Sequence, residues 1–386
     1  MKYTIVLAAV LAIVQAAPLI NNGGKPIADS YIVILKDGNT AESFKTKFDD
    51  IAKRQNGRGR KSTINRSYSK VSGFSATVNP AVLKELLASE EVEFVEQDAI
   101  VTIQGSQTSP PSWGLPRVSQ RDLDNNADYL YNDAAGEGIT AYVVDTGVYI
   151  EHNEFEGRAS WGANFITGSE DTDENGHGTH VAGTIGGATY GVAKKVNIVG
   201  VKVLDAGGSG STSGVVAGMD WVAKHAVAGK SVVSMSLGGG KSQAIDSAAG
   251  RLFDANIPLI VAAGNDARMD ACKGSPSGAK NAYTVAASDK YDNPASFTSF
   301  GKCVEIFAPG VAITSSWIGS TSKTNTISGT SMATPHVAGV AALYLSFNSL
   351  PTAQSVFDKL TTSATVGKIK GDLKGSPNKL VFNDAA

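Results

Sequence analysis

The chain has 386 residues, 42% hydrophobic and 18% charged, with 42 glycines; this is globular composition, neither disordered nor fibrous. That length asks for a small and a large domain, the large one with ample core. A formal charge of −2 gives no electrostatic case for nucleic acid or an anionic membrane as partner.

Met1-Lys2-Tyr3 carries one positive charge, Thr4 to Val14 is almost wholly apolar, and Gln15-Ala16 ends the run. A charged start, a short apolar core and a small-residue end describe a secretory signal. About 11 apolar residues fall short of the roughly 20 that span a bilayer. Residues 1–16 therefore read as a signal rather than an anchor, and the chain is expected outside the cell. No later segment has the length and apolarity of a membrane span.

Residues 30–103 read as a separate unit. Ser30 to Lys36 is strand-like, and Phe44, Phe48 and Ile51 follow at helical spacing. A basic loop, Lys53 to Lys61, leads to strand-like runs at Ile64–Tyr68 and Gly73–Val78. Asn79-Pro80 starts a helix, Asn as cap and Pro in the first position, with Leu83, Leu86 and Leu87 on its apolar face. Val92–Val95 and Ala99–Ile103 are extended. The order is βαββαβ, a ferredoxin-like α+β pattern. Asn65-Arg66-Ser67 is a glycosylation sequon within it. Residues 105–112, polar with Pro110-Pro111, read as a linker and a processing site.

After Trp113, apolar runs at Ile139–Val144, Val196–Val203, Val232–Met235, Leu259–Ala263 and Tyr283–Ala286 alternate with helical patterns. The helices are expected at about 179–185, 212–228, 244–255 and 331–345. The fold class is therefore α/β: a mostly parallel sheet with helices on both faces. Ligands bind such sheets at the carboxyl ends of the strands. Only two cysteines occur, Cys272 and Cys303. In a secreted chain they suggest a bridge, worth about 3–4 kcal/mol for a loop of roughly 30 residues; two buried thiols are the alternative.

Several polar residues stand at element ends. Asp145 closes an apolar strand two residues before Gly147, although a turn Asp would look the same. His177 lies in Asn175-Gly176-His177-Gly178-Thr179-His180, where the glycines permit close backbone approach; a lone His is more often structural. His152 and His225 sit in polar context and are expected on the surface. Ser331 opens a helix, so its N–H lacks an intrahelical partner and can bind an oxyanion; a plain cap is the alternative. His336 is five residues further on and points away from Ser331. Asn265 follows Val261-Ala262-Ala263-Gly264 and can be a second oxyanion donor or a turn residue.

Jointly these residues come in the order Asp…His…Ser. Val144-Asp145-Thr146-Gly147, His177-Gly178-Thr179-His180-Val181-Ala182-Gly183 and Gly329-Thr330-Ser331-Met332-Ala333-Thr334-Pro335-His336 resemble the signature blocks of the subtilisin-like serine proteases. Tyr190-Gly191-Val192-Ala193-Lys194-Lys195, Val201-Lys202-Val203-Leu204-Asp205 and Ser236-Leu237-Gly238-Gly239-Gly240 bring it nearest the fungal proteinase K and oryzin branch. The likeness covers the chain after Trp113, and residues 30–103 look like that family's inhibitory propeptide.

The resemblance implies a broad-specificity endopeptidase preferring apolar or aromatic side chains before the cut. Ser331 would be the nucleophile, His177 the base, Asp145 its orienter, and Asn265 with the Ser331 N–H the oxyanion donors. Substrate would pair with Gly208-Ser209-Gly210-Ser211 and Ser236-Leu237-Gly238. Gly238, Gly239 and Ala262 to Gly264 would wall the specificity pocket. The organisation implied is signal 1–16, propeptide 17–104 and peptidase 105–386, with cleavage just after Gln104 and Ala99–Gln104 lying in the cleft as an inhibitor. Partners are peptide substrates and the chain's own propeptide, with no nucleic acid or membrane, on a monomer.

No cofactor is required. The resemblance leaves a structural calcium open at Glu305 with carbonyls of Lys280 and Ala282; Glu stands where the branch has Asp, and Lys280 replaces a Pro. Val181 and Thr140 occupy positions that carry cysteines in proteinase K, while a Cys272–Cys303 bridge resembles one in bacterial relatives. A zinc hydrolase lacks its HExxH run. A lipase-like hydrolase would need Gly-x-Ser-x-Gly and its Ser first in order. A non-catalytic binding protein on a protease scaffold has no supporting residue, because all four catalytic positions are filled.

Overall fold

The computed structural model describes residues 16–20, 25–55, 61–68, 72–100 and 104–385. The expected signal, apart from Ala16, lies outside the described residues, as do 56–60 of the basic loop and 101–103 of the expected tail. The chain divides into two compact units, residues 1–102 and 103–386.

In the first unit five strands run in the order Leu19–Ile20, Val92–Ile100, Lys25–Leu35, Gly73–Thr77, Thr63–Tyr68. Helices Ala41–Gln55 and Pro80–Leu87 bury Phe44, Phe48, Ile51, Val82 and Leu86 with Val33, Phe74 and Val95 of the sheet. The βαββαβ order is present. Leu19–Ile20 is an additional edge strand, parallel to Val92–Ile100. Asn79 caps its helix as expected, its Oδ1 accepting from the N–H groups of Ala81 and Val82 at 3.0 and 2.9 Å. Asn65 lies exposed on the strand Thr63–Tyr68.

The second unit is built on a nine-stranded sheet. Its order is Thr365–Val366, Lys379–Leu380, Ile306–Pro309, Tyr283–Ser288, Leu259–Ala262, Ser231–Met235, Thr140–Asp145, Asn197–Lys202, Ala159–Asn164. All neighbours are parallel except the first pair. Along Thr140–Asp145, Ala141 and Val143 face one layer while Tyr142 and Val144 face the other, the period-two alternation of a strand buried on both sides. The first layer holds the helices His177–Gly186 and Thr330–Phe347; the second holds Thr212–His225 and Gln243–Asp254. Ser211 and Ser242 cap that second pair by accepting from Gly214 N–H and Ile245 N–H. Thr330–Phe347 is buried on every side from Met332 to Leu345, as befits a helix apolar all round.

One expectation needs correction. Residues 105–112 do not start as a free linker: Gln104–Gln107 forms a strand antiparallel to Tyr129–Asn132 within the second unit. The polar side chains there hid a strand held by main-chain pairing and by the Gln107 amide, which donates to Thr189 O at 3.1 Å. Because the central strands are parallel, Asp145, Lys202, Met235 and Ala262 all end at the same edge of the sheet, and the loops that follow them converge there.

Candidate active site

Asp145 ends its strand and is fully buried. Its Oδ1 accepts from the Thr146 N–H at 2.7 Å and from His177 Nδ1 at 2.7 Å. His177 is the first residue of its helix, entered through Gly176 in the left-handed region at φ 103°. Gly178 is needed for another reason: a Cβ there would lie 2.0 Å from the Gly147 carbonyl oxygen. These glycines let the helix start sit directly against the turn after Asp145. Burial disfavours the charged imidazole, but the Asp145 charge and hydrogen bond, helped by Asp173, outweigh it and raise the His177 pKa above 6.5.

Ser331 lies in the first turn of Thr330–Phe347, where the N–H has no intrahelical acceptor. Its hydroxyl donates to the Ser236 carbonyl at 3.0 Å, and the Ser236 hydroxyl donates back to the Ser331 carbonyl at 2.9 Å. Oγ thus rests on the Ser236 carbonyl. Asn265 Oδ1 accepts from both the N–H and the hydroxyl of Thr330, at 2.8 and 2.9 Å. This fixes the amide with Nδ2 towards the Gly329–Ser331 turn, 3.5 Å from where a Cβ on Gly329 would be. Thr330 also accepts from Gly264 N–H at 3.2 Å. Sequence reading missed Thr330 as the orienter of Asn265; its position beside Ser331 was the available signal.

Two adjoining clefts carry the remaining expected residues. One of about 430 Å³ is lined by His177, Gly208, Ser209, Gly210, Ser236 and Leu237. The other, about 580 Å³, is lined by Ser331 and Asn265 with Gly238, Gly239, Ala262 and Gly264. Asp266, Met269, Ser277 and Ser299 also line the second and were not anticipated, since nothing local marks them. Ser211 caps its helix.

The other histidines are structural. His336 is buried and bonds Met332 O through Nδ1 at 2.8 Å; His180 is buried with Nε2 3.0 Å from Ile313 O. Burial lowers each pKa to about 4. His225 is exposed and stacks on Trp221. His152 is not on the surface as expected. It is 2% exposed, accepts from Glu154 N–H and bonds Lys323 O, so it caps a turn that its polar neighbours concealed.

Residues 136–380 match the subtilase family. This chain belongs to that family. Residues 30–104 match the peptidase inhibitor I9 family. The subtilase is 47% identical to a cuticle-degrading serine protease of Arthrobotrys oligospora, over 93% of this chain and 91% of that one. It is also 47% identical to subtilisin-like protease 2 of Pseudogymnoascus destructans, over 92% and 90% of the two chains. A crystal structure of a cold adapted subtilisin-like serine proteinase superposes with a TM-score of 0.67 at 48% identity, covering 71% of this chain and 98% of that one. The protein is thus a subtilisin-like serine protease with an I9-type propeptide domain.

In this subtilase Cys272 and Cys303 form a disulfide, with Cα atoms 5.2 Å apart. Cys272 lies between Met269 and Ser277 of the Ser331 cleft. The segments named for calcium also meet: Glu305 N–H donates to Thr284 O at 2.9 Å, beside the chain that leaves exposed Lys280 and buried Ala282. Burial raises the Glu305 carboxyl pKa, and Lys379 opposes it. A half-buried carboxylate is a hard oxygen ligand of the kind calcium takes. It supplies one acidic ligand, where calcium takes 6–8 oxygens, so carbonyls and water would have to complete the shell.

Proposed function

We propose that this subtilase is a secreted endopeptidase that cuts after apolar or aromatic residues through Asp145, His177 and Ser331. The observation that carries this reading is the 2.7 Å bond from His177 to buried Asp145 at the end of a cleft that continues to Ser331. Asp145 keeps the His177 proton on Nδ1, leaving Nε2 as the base. Ser331 Oγ attacks the scissile carbonyl carbon while Nε2 takes its proton. The resulting oxyanion is held by Asn265 Nδ2 and the Ser331 N–H. The C–N bond then breaks as Nε2 returns the proton to the leaving amine. Water, deprotonated by His177, releases the acyl group in the same way. Only side chains and main chain are used, so no cofactor enters the reaction.

Substrate would lie extended between Gly208–Gly210 and Ser236–Gly238, pairing by main chain. The pocket behind Ser331 is walled by Gly238, Gly239, Ala262 and Gly264, which add little bulk and no charge, while exposed Asp266 also stands on its lining; the small walls support the apolar preference. Cuticle-degrading activity, named for the Arthrobotrys relative, is compatible with such a pocket. We also infer a precursor of signal 1–16, propeptide 17–104 and monomeric peptidase 105–386, with the propeptide as inhibitor until cleavage near Gln104. No helix among the described residues is long and apolar enough to cross a membrane. A calcium ion at Glu305 would brace the entry to the strand Ile306–Pro309.

The deciding experiment labels the processed protein with a fluorophosphonate. Labelling at Ser331, insensitive to chelator and lost in Ser331→Ala, is expected; a folded, processed protein that does not label sinks the proposal. N-terminal sequencing of the secreted form should begin within a residue or two of Gly105, whereas a start near Ala17 refutes the propeptide. A chelator should lower the melting temperature if calcium is bound, and an unchanged melt removes that site.

A further inference from the structure

Asp173 stands outside the triad, yet it is 4% exposed and both carboxylate oxygens are fully used. Oδ1 accepts from the Thr146 hydroxyl at 2.9 Å and from the N–H groups of Asn175 and Gly176 at 3.0 and 2.9 Å. Oδ2 accepts from the N–H and hydroxyl of Thr179 at 2.9 and 2.6 Å. Thr146, held in this way, accepts from Gly178 N–H at 2.9 Å. Every one of these donors lies within two residues of His177 or next to Asp145. One acceptor-only side chain therefore ties the end of the Asp145 strand to the start of the His177 helix. Nothing in the reaction itself asks for that carboxylate, and a turn alone could be closed by a serine or an asparagine.

We propose that Asp173 is a positioning residue for His177: it locks the turn that presents the imidazole and stands as a second negative charge behind the ring. Charge-assisted bonds of this kind are the strong ones, and a base misplaced slightly loses much of its rate. The charged and titratable groups around the ring are Asp145 from the strand, Asp173 from the preceding loop and His180 one turn down its own helix. Beyond them, buried Lys202 donates to Thr146 O at 2.7 Å and lies 3.5 Å from Glu174. Asp173 favours the imidazolium in the same direction as Asp145 does. The inference rests on His177 being the general base.

The test compares Asp173→Asn, Thr146→Val, Thr146→Ser and His177→Ala in the full-length precursor, each processed in trans by wild-type enzyme and then freed of it. Kinetics on a chromogenic peptide are read across pH. Asp173→Asn keeps an acceptor but loses the charge. It should lower kcat by about tenfold or more, equivalent to one charged hydrogen bond, with KM little changed, and should move the acid limb of kcat/KM to lower pH. Thr146→Val should lower kcat without moving that limb, and Thr146→Ser should restore it. A folded Asp173→Asn enzyme with wild-type kcat and acid limb overturns the proposal. If Asp173→Asn is not recovered folded, the Thr146 pair decides: Thr146→Val with wild-type kcat also overturns it. His177→Ala separates the two claims, because activity retained there removes the base itself, whereas activity lost there but kept in Asp173→Asn removes only the role of Asp173.

Discussion

Two effects pull on His177. Burial opposes its charge, while Asp145 and then Asp173 favour it, and the net shift is upward from 6.5. As the proposed base, His177 must be neutral to accept the Ser331 proton, so activity should fall as pH drops through a value raised above 6.5. The stability sign is opposite: a raised imidazole pKa contributes stability that is complete below 6.5 and lost as pH rises through the folded value. Asp145→Asn removes the strongest attraction and leaves burial dominant, so the acid limb should move down. Turnover should fall by about 10⁴-fold, as for an orienting Asp in other serine protease triads. A peptide-hydrolysis pH profile checks both. Asn265→Ala should cost about 10²–10³ in kcat with little change in KM, by analogy with the oxyanion asparagine of subtilisin itself. Steady-state kinetics that show the loss in KM instead would place Asn265 in binding rather than catalysis.

At the scale of elements, the sequence blocks are explained by close approach. A Cβ on Gly178 would meet the Gly147 carbonyl at 2.0 Å, a rigid atom with no room to yield. Gly178→Ala should therefore push the helix His177–Gly186 off the Asp145 turn and break the 2.7 Å bond. We expect kcat to fall at least tenfold while fluorophosphonate labelling becomes slow rather than absent; an unaltered labelling rate contradicts this packing. Arg117 supplies a second element-scale test. It is fully buried in the short helix Gly114–Ser119 and grips Asp292 through Nε and Nη2 at 2.7 and 3.1 Å. Asp292→Ala leaves that guanidinium unpaired and should destabilise by about 3–5 kcal/mol, read as a lower denaturant midpoint.

The same scale shows what sequence reading could reach. The core strands were legible because Thr140–Asp145 and Leu259–Ala262 fall in short apolar runs that carry Val143, Val144, Ile260 and Val261. Ala159–Asn164 escaped because an edge strand with Trp161 and Gly162 has little β-branched signal. Ile306–Pro309 escaped because it is four residues long and closed by proline. Ala353–Ser363 was overlooked although Thr352 and Ser355 form a capping box. Asp145, His177 and Ser331 were legible as candidates because each sits at a glycine-marked element end. Asp173, Thr330 and His152 were harder to read, because the bonds that reveal their roles include partners that folding brings near, Thr146 for Asp173, Asn265 for Thr330 and Lys323 for His152.

For the whole second unit, acid should be the weak point, and two histidines say where. His180, against Ile313 and Trp317, and His336, on its own helix, are buried, and burial holds each pKa near 4 against 6.5 in the unfolded chain. Both are neutral when folded, so their contribution is complete above pH 6.5 and is lost progressively as pH falls towards 4. Within that window unfolding takes up as many as two more protons than the native state holds. Each such proton costs about tenfold in the folding equilibrium per pH unit. Glu91 behaves alike but in a lower window, its pKa lowered to about 2 by Lys47 and Ser89, and it belongs to the first unit. The processed enzyme should thus lose urea resistance between pH 6.5 and 4, before the carboxylates of its own unit with depressed pKa values, Asp122, Asp220 and Asp266, are titrated. His336→Gln can still donate to Met332 O and cannot be protonated. It should flatten that slope by about one proton, a change readable as urea midpoints at pH 7 and pH 5. An identical slope in the variant would mean that His336 does not gate acid unfolding and that the weak point lies elsewhere in the second unit.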